Sequence, residues 1–381
     1  MSKQLIDRQE QGRIIAEMNG SVERLDDANY IVSSQSGNGS YHIHSTESGW
    51  NCSCPDHIYS VKCKHIYVVE LSFAIRKQAE IRKIEPVTNQ CCIFCKSFNM
   101  VRDGVRHNKC GDIQKYNCRQ CNHYFTINLG FERMRATPQI ITSSLQLYFT
   151  GESLRNIQKF LRLQGVNINH NTVYRWIKKY VKLMKNYLEQ IKPNVGDAWR
   201  TDELFVKIKG NMKYLYALMD DESRFWIAQQ VAYTKYTANI NPLFKDGKEL
   251  TGKRPNTLIS DGAPNFNDSF NKEFYTNTVP RTRHTRHIRL QGDHNNNKME
   301  RLNGEVRDRE KTMRGLKKTD TSILSGYQIY HNYMRPHEGL NGQTPVERCG
   351  VKIEGQNKWI TIIENASRNL HMMIDKFMLV P

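Results

Sequence analysis

The sequence predicts a multidomain chain in which small metal-binding modules and a helical segment precede an α/β domain. Three observations carry this. Nine of the ten cysteines fall between Cys52 and Cys121, in close C-x-C and C-x-x-C pairs. Helical periodicity dominates from about Pro138 to Lys192. From Trp199 onward, strand patterns alternate with helical ones.

The length of 381 residues leaves room for two to four domains. The formal net charge is +18, and the excess recurs at Arg155–Arg162, Lys178–Lys185, Arg281–Arg289 and Arg301–Lys318. Basic surface spread over a chain of mixed structure points to nucleic acid. No apolar run approaches a membrane span, and MSKQLIDRQEQGRII has no apolar core of the kind a secretory signal needs. The expectation is a cytoplasmic protein, held at the nucleoid by DNA. In that compartment, clustered cysteines read as zinc ligands rather than disulfides.

Residues 1–27 are expected as a polar lead, followed by strand patterns at Asn29–Ser33 and Ser40–His44. Cys52-x-Cys54, eight residues, then Cys63-x-His65 supplies four ligands, enough for a closed tetrahedral zinc site. With Tyr41-His-Ile and Trp50-Asn-Cys-Ser-Cys-Pro-Asp around them, residues 28–75 resemble the SWIM zinc finger. His57, inside the loop, is expected to face solvent. A second set, Cys92-x-x-Cys95 and Cys118-x-x-Cys121, has zinc-ribbon spacing within residues 86–130, with a hairpin expected through Gly104 and Gly111. Cys91 competes with Cys92, although only Cys92 gives two x-x spacings; Cys110 is spare. The stretch Gly111-Asp-Ile-Gln-Lys-Tyr-Asn-Cys-Arg-Gln-Cys resembles ribbons at the front of insertion-sequence transposases. Full ligand shells make both zinc ions structural.

Within residues 135–192, Leu154, Ile157, Phe160 and Leu161 mark one amphipathic helix. Gly165 breaks it, and Val173, Trp176, Ile177 and Tyr180 mark the next. This is the helix-turn-helix pattern. Asn169 or Asn171 can cap the second helix, while His170, Asn171, Tyr174 and Arg175 can face bases or phosphates of double-stranded DNA. The plain alternative is a helical hairpin with a basic outer face.

The segment 196–350 reads strand, strand, strand, helix, strand, helix, strand, helix. The fourth strand is Thr257–Ser260, the fifth His287–Leu290, and helices run from about Asn296 to Arg314 and from Ser322 to Met334. Asp202 opens the first strand in Trp-Arg-Thr-Asp-Glu-Leu-Phe-Val, Asp261 ends the fourth in Leu-Ile-Ser-Asp-Gly-Ala, and Glu300 lies on the following helix. Cleaving a phosphodiester at neutral pH calls for divalent metals held by such carboxylates. Glu203, Asp220, Asp221, Asp293 and Glu305 compete with these three for the role. Strand alternation favours Asp202 over Glu203. Asn296, four residues before Glu300, and Arg307, seven residues after it and on the same helical face, favour Glu300. With Tyr333-Met-Arg-Pro-His-Glu-Gly-Leu-Asn-Gly-Gln-Thr-Pro further on, residues 135–350 resemble the RNase H-like core of retroviral integrases and DDE transposases. The 38 residues between Asp261 and Glu300 slightly exceed the spacing of related bacterial elements.

That resemblance implies a mixed five-stranded sheet with flanking helices, in which the first and fourth strands are neighbours. It implies a triad of Asp202, Asp261 and Glu300 binding two Mg²⁺ or Mn²⁺ ions, with Arg307 on DNA. It implies a transposase that cuts and joins the ends of an insertion element as a homo-oligomer, and residues 351–381 are expected as a tail. Two rivals remain. His42-Ile-His44 mimics the His-hydrophobic-His of nucleases with a tyrosine nucleophile, though strand alternation explains it more simply. A DNA-binding regulator derived from a transposase would keep the zinc and helix-turn-helix modules without catalysis; an RNase H-type nuclease on hybrids suits the front end less well.

Overall fold

The computed structural model describes residues 2–17, 21–26, 28–34, 39–46, 49–58, 62–79, 81–87, 91–95, 97–108, 111–126, 129–277, 281–286, 297–313, 316 and 322–378. It divides into two compact units, Met1–Ile81 and Arg82–Pro381. No helix among the described residues is long and apolar enough to cross a membrane.

In the first unit, β1 (Val22–Arg24), β2 (Asn29–Ser33), β3 (Ser40–Thr46) and β4 (Gly49–Cys52) form an antiparallel sheet in that order. Alternation turns Tyr30, Val32 and Ile43 inward, where they meet Ile66, Val68 and Val69 of α3 (Lys64–Ala79) and Ile15 of α1 (Ser2–Glu17). A short helix, α2 (Pro55–Ile58), precedes α3. Residues 1–27 are therefore no loose lead. They supply a helix packed on α3 and the first strand of the sheet, because Ile15 and Val22 complete an apolar core too small to close without them. His42 and His44 stand exposed on either side of buried Ile43.

The second unit begins with β5 (Arg82–Ile84) and an antiparallel sheet of β6 (Met100–Asn108), β7 (Gly111–Cys118) and β8 (Tyr124–Thr126). Gly104 lies at a bulge within β6, between Arg102 and Val105, with φ +73°, rather than at the hairpin's end. Cys110 lies outside the described residues.

Three helices follow: α4 (Pro138–Thr150), α5 (Leu154–Leu163) and α6 (His170–Leu188). Side chains of Thr137, Ser153 and Asn169 cap them, so Asn169 rather than Asn171 starts α6.

The central sheet has the order β11-β10-β9-β12-β13. β9 (Ala198–Ile208), β10 (Asn211–Asp220) and β11 (Trp226–Ala232) are antiparallel; β12 (Thr257–Ser260) and β13 (Arg283–Arg286) run parallel to β9. The β9–β10 turn is Lys209–Gly210, both with positive φ, a two-residue hairpin that matches strand twist. Helices α7 (Thr237–Thr251), α8 (Pro264–Glu273) and α9 (Asn297–Met313) complete the mixed α/β core. The expected strand at His287–Leu290 lies outside the described residues. The observed fifth strand is Arg-His-Thr-Arg, four positions earlier and too polar to announce itself, as suits a sheet edge.

Beyond it come α10 (Ser322–Ile329), a π-helical turn Tyr330–Met334, a 3₁₀ turn Glu338–Leu340, α11 (Pro345–Arg348), β14 (Val351–Ile353) and α12 (Lys358–Met378). Residues 351–381 were expected as a tail. Instead β14 pairs in parallel with β5, and α12 buries Trp359, Ile362, Ile363 and Ala366 against α4 and α6. That i, i+3, i+4, i+7 spacing is an amphipathic helix in plain sight.

Gly326 lets α10 lie close to α4 and α6: a Cβ there would come within 2.3 Å of Phe149 and 2.7 Å of Val181. Gly326→Ala should therefore lower unfolding free energy by about 1–3 kcal/mol through overpacking, despite alanine's better helix propensity. Denaturant titration checks this, and a stability equal to or above the parent's contradicts the packing.

Candidate active site and cysteine centres

The pairing that sets Thr257 opposite Ala198, Leu258 opposite Trp199 and Ile259 opposite Arg200 has a constant offset. Carried two residues on, it brings Asp261 level with Asp202. Asp202 Oδ1 accepts the Glu203 N–H at 2.9 Å, and Oδ2 accepts from Asn303 Nδ2 at 2.8 Å. Burial, joined by the facing charges of Asp261 and Glu203, pushes the Asp202 carboxyl up to about 6 despite those hydrogen bonds. Asp261 is exposed, and its Oδ1 accepts the Ala263 N–H at 3.0 Å, which shapes the turn into α8.

Glu300 is exposed in the first turn of α9, one turn before Asn303. The three carboxylates do not form a closed set: among the described residues, only the two cysteine groups bring three or more ligand atoms within 4.8 Å of one another. Asp202, Asp261 and Glu300 form no ion pair among the described residues, whereas of the described competitors Glu203, Asp221 and Glu305 do, and Asp220, without one, is fully buried on its own turn. Glu203 pairs with Lys235, its neighbour across the aromatic rings of Phe205 and Tyr214. Asp220 is fully buried and accepts the N–H (2.8 Å) and hydroxyl of Ser223. Asp221 takes Arg200 Nε at 2.5 Å and Lys298 Nζ at 2.7 Å, and these contacts hold its carboxyl below the usual range despite burial. Glu305 meets Arg335 Nη1 at 2.5 Å and lies 3.9 Å from His331 Nδ1. Asp293 and Asn296 lie outside the described residues.

Reading the sequence alone missed Asn303, which ties the helix of Glu300 to Asp202; its signal was an amide one turn from that acid. It also missed Ser260 and His284. They hydrogen-bond at 2.9 Å beside Asp261, and burial of the imidazole pushes it down to about 4, so it stays neutral. Arg307 is exposed on α9 and forms no ion pair among the described residues.

On α6, Asn171 and Arg175 are exposed, and His170 and Tyr174 half-buried. Arg175 Nη2 donates to Thr172 Oγ1 at 3.1 Å, and the Lys178 ammonium lies 5.7 Å from the Tyr174 ring centre. The buried face, Val173, Trp176, Ile177 and Tyr180, alternates with these, so the basic positions point away from the core.

Cys52, Cys54, Cys63 and His65 gather at the foot of the first unit's sheet, all four buried. His65 Nδ1 lies 3.9 Å from Cys52 Sγ and 4.0 Å from Cys63 Sγ, while Tyr41, 4.7 Å away, steadies the ring. In the second group, Cys92 and Cys121 sulfurs are 3.7 Å apart and those of Cys95 and Cys118 3.5 Å. Tetrahedral zinc with bonds of about 2.3 Å separates neighbouring sulfurs by roughly 3.8 Å, so both donor sets fit that ion. Hydrogen bonding from Cys52, aided by His65 and the Ile66 N–H, pushes the Cys63 thiol down, while that same bond and burial push Cys52 up. Neither Cys91 nor His57 belongs to a group.

A family model described as "DDE domain" matches residues 196–337. The chain is 33% identical over 115 residues to the transposase for insertion sequence-like element IS431mec of Staphylococcus aureus, covering 28% of this chain and 51% of that protein. It is 30% identical over 138 residues to the transposase for insertion sequence element IS257 in transposon Tn4003 of the same species, covering 34% and 62%. The chain thus spans about half to three-fifths of the length of these curated relatives. Among solved structures, the HTLV-2 integrase catalytic core domain in complex with magnesium aligns with a TM-score of 0.32 at 17% identity, covering 42% of this chain and 98% of that one. Residues 196–337 thus match the DDE domain family, and the relatives similar to this chain are transposases of insertion elements.

Proposed function

We propose that the protein is a transposase that cuts the ends of an insertion element and joins them to target DNA, with Asp202, Asp261 and Glu300 as its catalytic carboxylates. The observation that carries this reading is the level pair Asp202–Asp261, without cationic partners, in a neighbourhood where the described competing acids are engaged. Two Mg²⁺ or Mn²⁺ ions held there would supply an activated water or 3′-hydroxyl and neutralise the leaving oxygen. The chain does the rest. Asn303 and the Glu203 N–H orient the Asp202 carboxylate, each taking one lone pair of an oxygen and leaving another for a cation. The Ala263 N–H does the same for Asp261. Lys298, held to Asp221, fixes the start of the helix that carries Glu300, and Arg307 offers its guanidinium to a phosphate.

In this reading the second helix of the helical segment reads element ends through His170, Asn171, Tyr174 and Arg175, and the front modules hold two structural zinc ions, the first in a SWIM-type finger. Handling two ends calls for a second copy, so we infer a homo-oligomer working on cytoplasmic, nucleoid-associated DNA. A regulator without catalysis would leave the carboxylate pair without purpose.

Asp202→Asn, Asp261→Asn and Glu300→Gln should each cut cleavage of end-containing DNA in Mg²⁺ by on the order of a thousandfold, with DNA binding retained. Asp308→Asn, on the surface and paired with Lys311, serves as control. Full cleavage by any triad variant removes that residue from the reading. Glu305→Gln is no neutral control, because it would strand Arg335.

The raised Asp202 carboxyl gives a second test. A folded-state pKa above the unfolded value means folding takes up a proton between about pH 4 and 6, so this group lowers stability increasingly as pH rises through that window. Above it, Asp202→Asn should be more stable than the parent without metal, by on the order of 2 kcal/mol, and Mg²⁺ should raise the parent's melting point but not the variant's. Calorimetry at pH 5 and 7.5 reads this; a variant less stable at pH 7.5 contradicts it.

Metal analysis of reduced protein should find two zinc ions per chain. Cys118→Ser should lose one and expose the ribbon to protease while leaving residues 130–378 folded. A count near zero in folded protein would rule the zinc reading out.

A further inference from the structure

Helix α9 presents three stripes. On one, Lys298 reaches Asp221 and Glu305 reaches Arg335. On the next, Asn303 reaches Asp202 between buried Met299 and Val306. The third faces outward and consists of Glu300, Gly304 and Arg307, with both charged side chains exposed.

Gly304 is out of place. Glycine is the poorest helix former after proline, so a glycine inside a helix needs a reason. Elsewhere packing supplies it: a Cβ would lie 2.8 Å from Tyr67 at Gly12 in α1, 2.6 Å from Leu218 at Gly247 in α7, and 2.3 Å from Phe149 at Gly326 in α10. At Gly304 a Cβ meets nothing within 4 Å among the described residues, and the backbone is not left-handed. Among the described residues neither packing nor conformation asks for glycine here. Partly buried itself, Gly304 leaves the helix without a side chain between an exposed acid one turn before it and an exposed basic side chain one turn after it, a span of about 10 Å at the helical rise.

We propose that Gly304 is where the DNA strand crosses α9. The sugar–phosphate backbone presses on the uncovered helix, with one phosphate at Arg307 and the reacting one at Glu300, and a side chain at 304 would lift the strand away. Gly304 is thus a positioning residue for the strand, a role that rests on the transposase reading and adds a close approach to it. The surroundings suit an anion: Arg307 forms no ion pair among the described residues, and the chain's net charge is +18.

The test uses the full chain with Gly304→Ala and Gly304→Leu, read by thermal midpoint and by binding and cleavage of end-containing DNA. Both variants should melt higher than the parent, by about 2–4 °C, because better helix formers replace glycine in open space. Cleavage should fall with side-chain size, severalfold for alanine and tenfold or more for leucine, with end binding in Ca²⁺ weakened in the same order. A stabilised variant that cleaves at the parental rate overturns the proposal. So does a lower melting point for alanine, which would mean the space is filled, or an activity loss that does not grow from alanine to leucine. Should Glu300→Gln and Asp202→Asn cleave normally, the transposase reading fails instead, so the two failures are distinct.

Discussion

The parallel hydrogen bonding of β9 to β12 is the constraint on which the meeting of Asp202 and Asp261 depends. Strand β9 runs eleven residues and β12 only four. Their register places a residue in the middle of one strand beside the first residue beyond the other. Asp202 is therefore held by the ladder with β10, opposite Ala217 and two residues past the last β12 pair, and Asp261 sits where the chain turns out of the sheet. Burial raises the pKa of the Asp202 carboxyl, and the facing charges of Asp261 and Glu203 add to the shift.

The surrounding charges are arranged to keep other acids out of the way. Arg200 and Lys298 converge on Asp221, and Arg335 occupies Glu305, so helix α9 is anchored at two points without spending Glu300. The Tyr333-to-Pro345 signature finds a physical role here. Tyr333 is buried, Arg335 secures α9, and His337 Nε2 lies 3.4 Å from the carbonyl of His331. Thr344 and Glu347 form a capping box on α11. Just before the signature, Asn332 in the π-helical turn accepts the Trp226 N–H (2.8 Å) and donates to its carbonyl (2.9 Å), satisfying backbone groups of the sheet's edge strand. The motif braces the core rather than lining the site.

The front modules illustrate a different economy. The ribbon's apolar cluster is little more than Cys92, Cys118 and Phe125, with Met100, Tyr116 and Cys121 against it. Such a core buries little by itself, and a metal held by the four thiols gathered beside it would add folding energy. The first unit has a larger core, with Tyr30 meeting Trp50 edge-on at 5.4 Å, yet three of its buried members are the cysteine ligands themselves.

Local chemistry was legible in the sequence. Ligand spacing identified both cysteine sets, and alternation placed β9 to β11. Caps and periodicity marked α5 and α6, and Asp261 lies where expected, at the end of its strand, whereas Asp202, expected to open β9, lies in its middle. Interactions between distant segments were not legible. The pairing of Glu305 with Arg335 and of Asn303 with Asp202 joins residues 30 and 101 positions apart, and no local pattern records such meetings. Polar β13 is a strand only because β12 lends it hydrogen bonds. Residues 1–27 and 351–378 become structure because α3 and α6 offer apolar faces to cover. Periodicity and spacing act within a few residues and survive in any context, whereas register, charge pairing and the openness of the helix around Gly304 exist only once the chain has closed on itself.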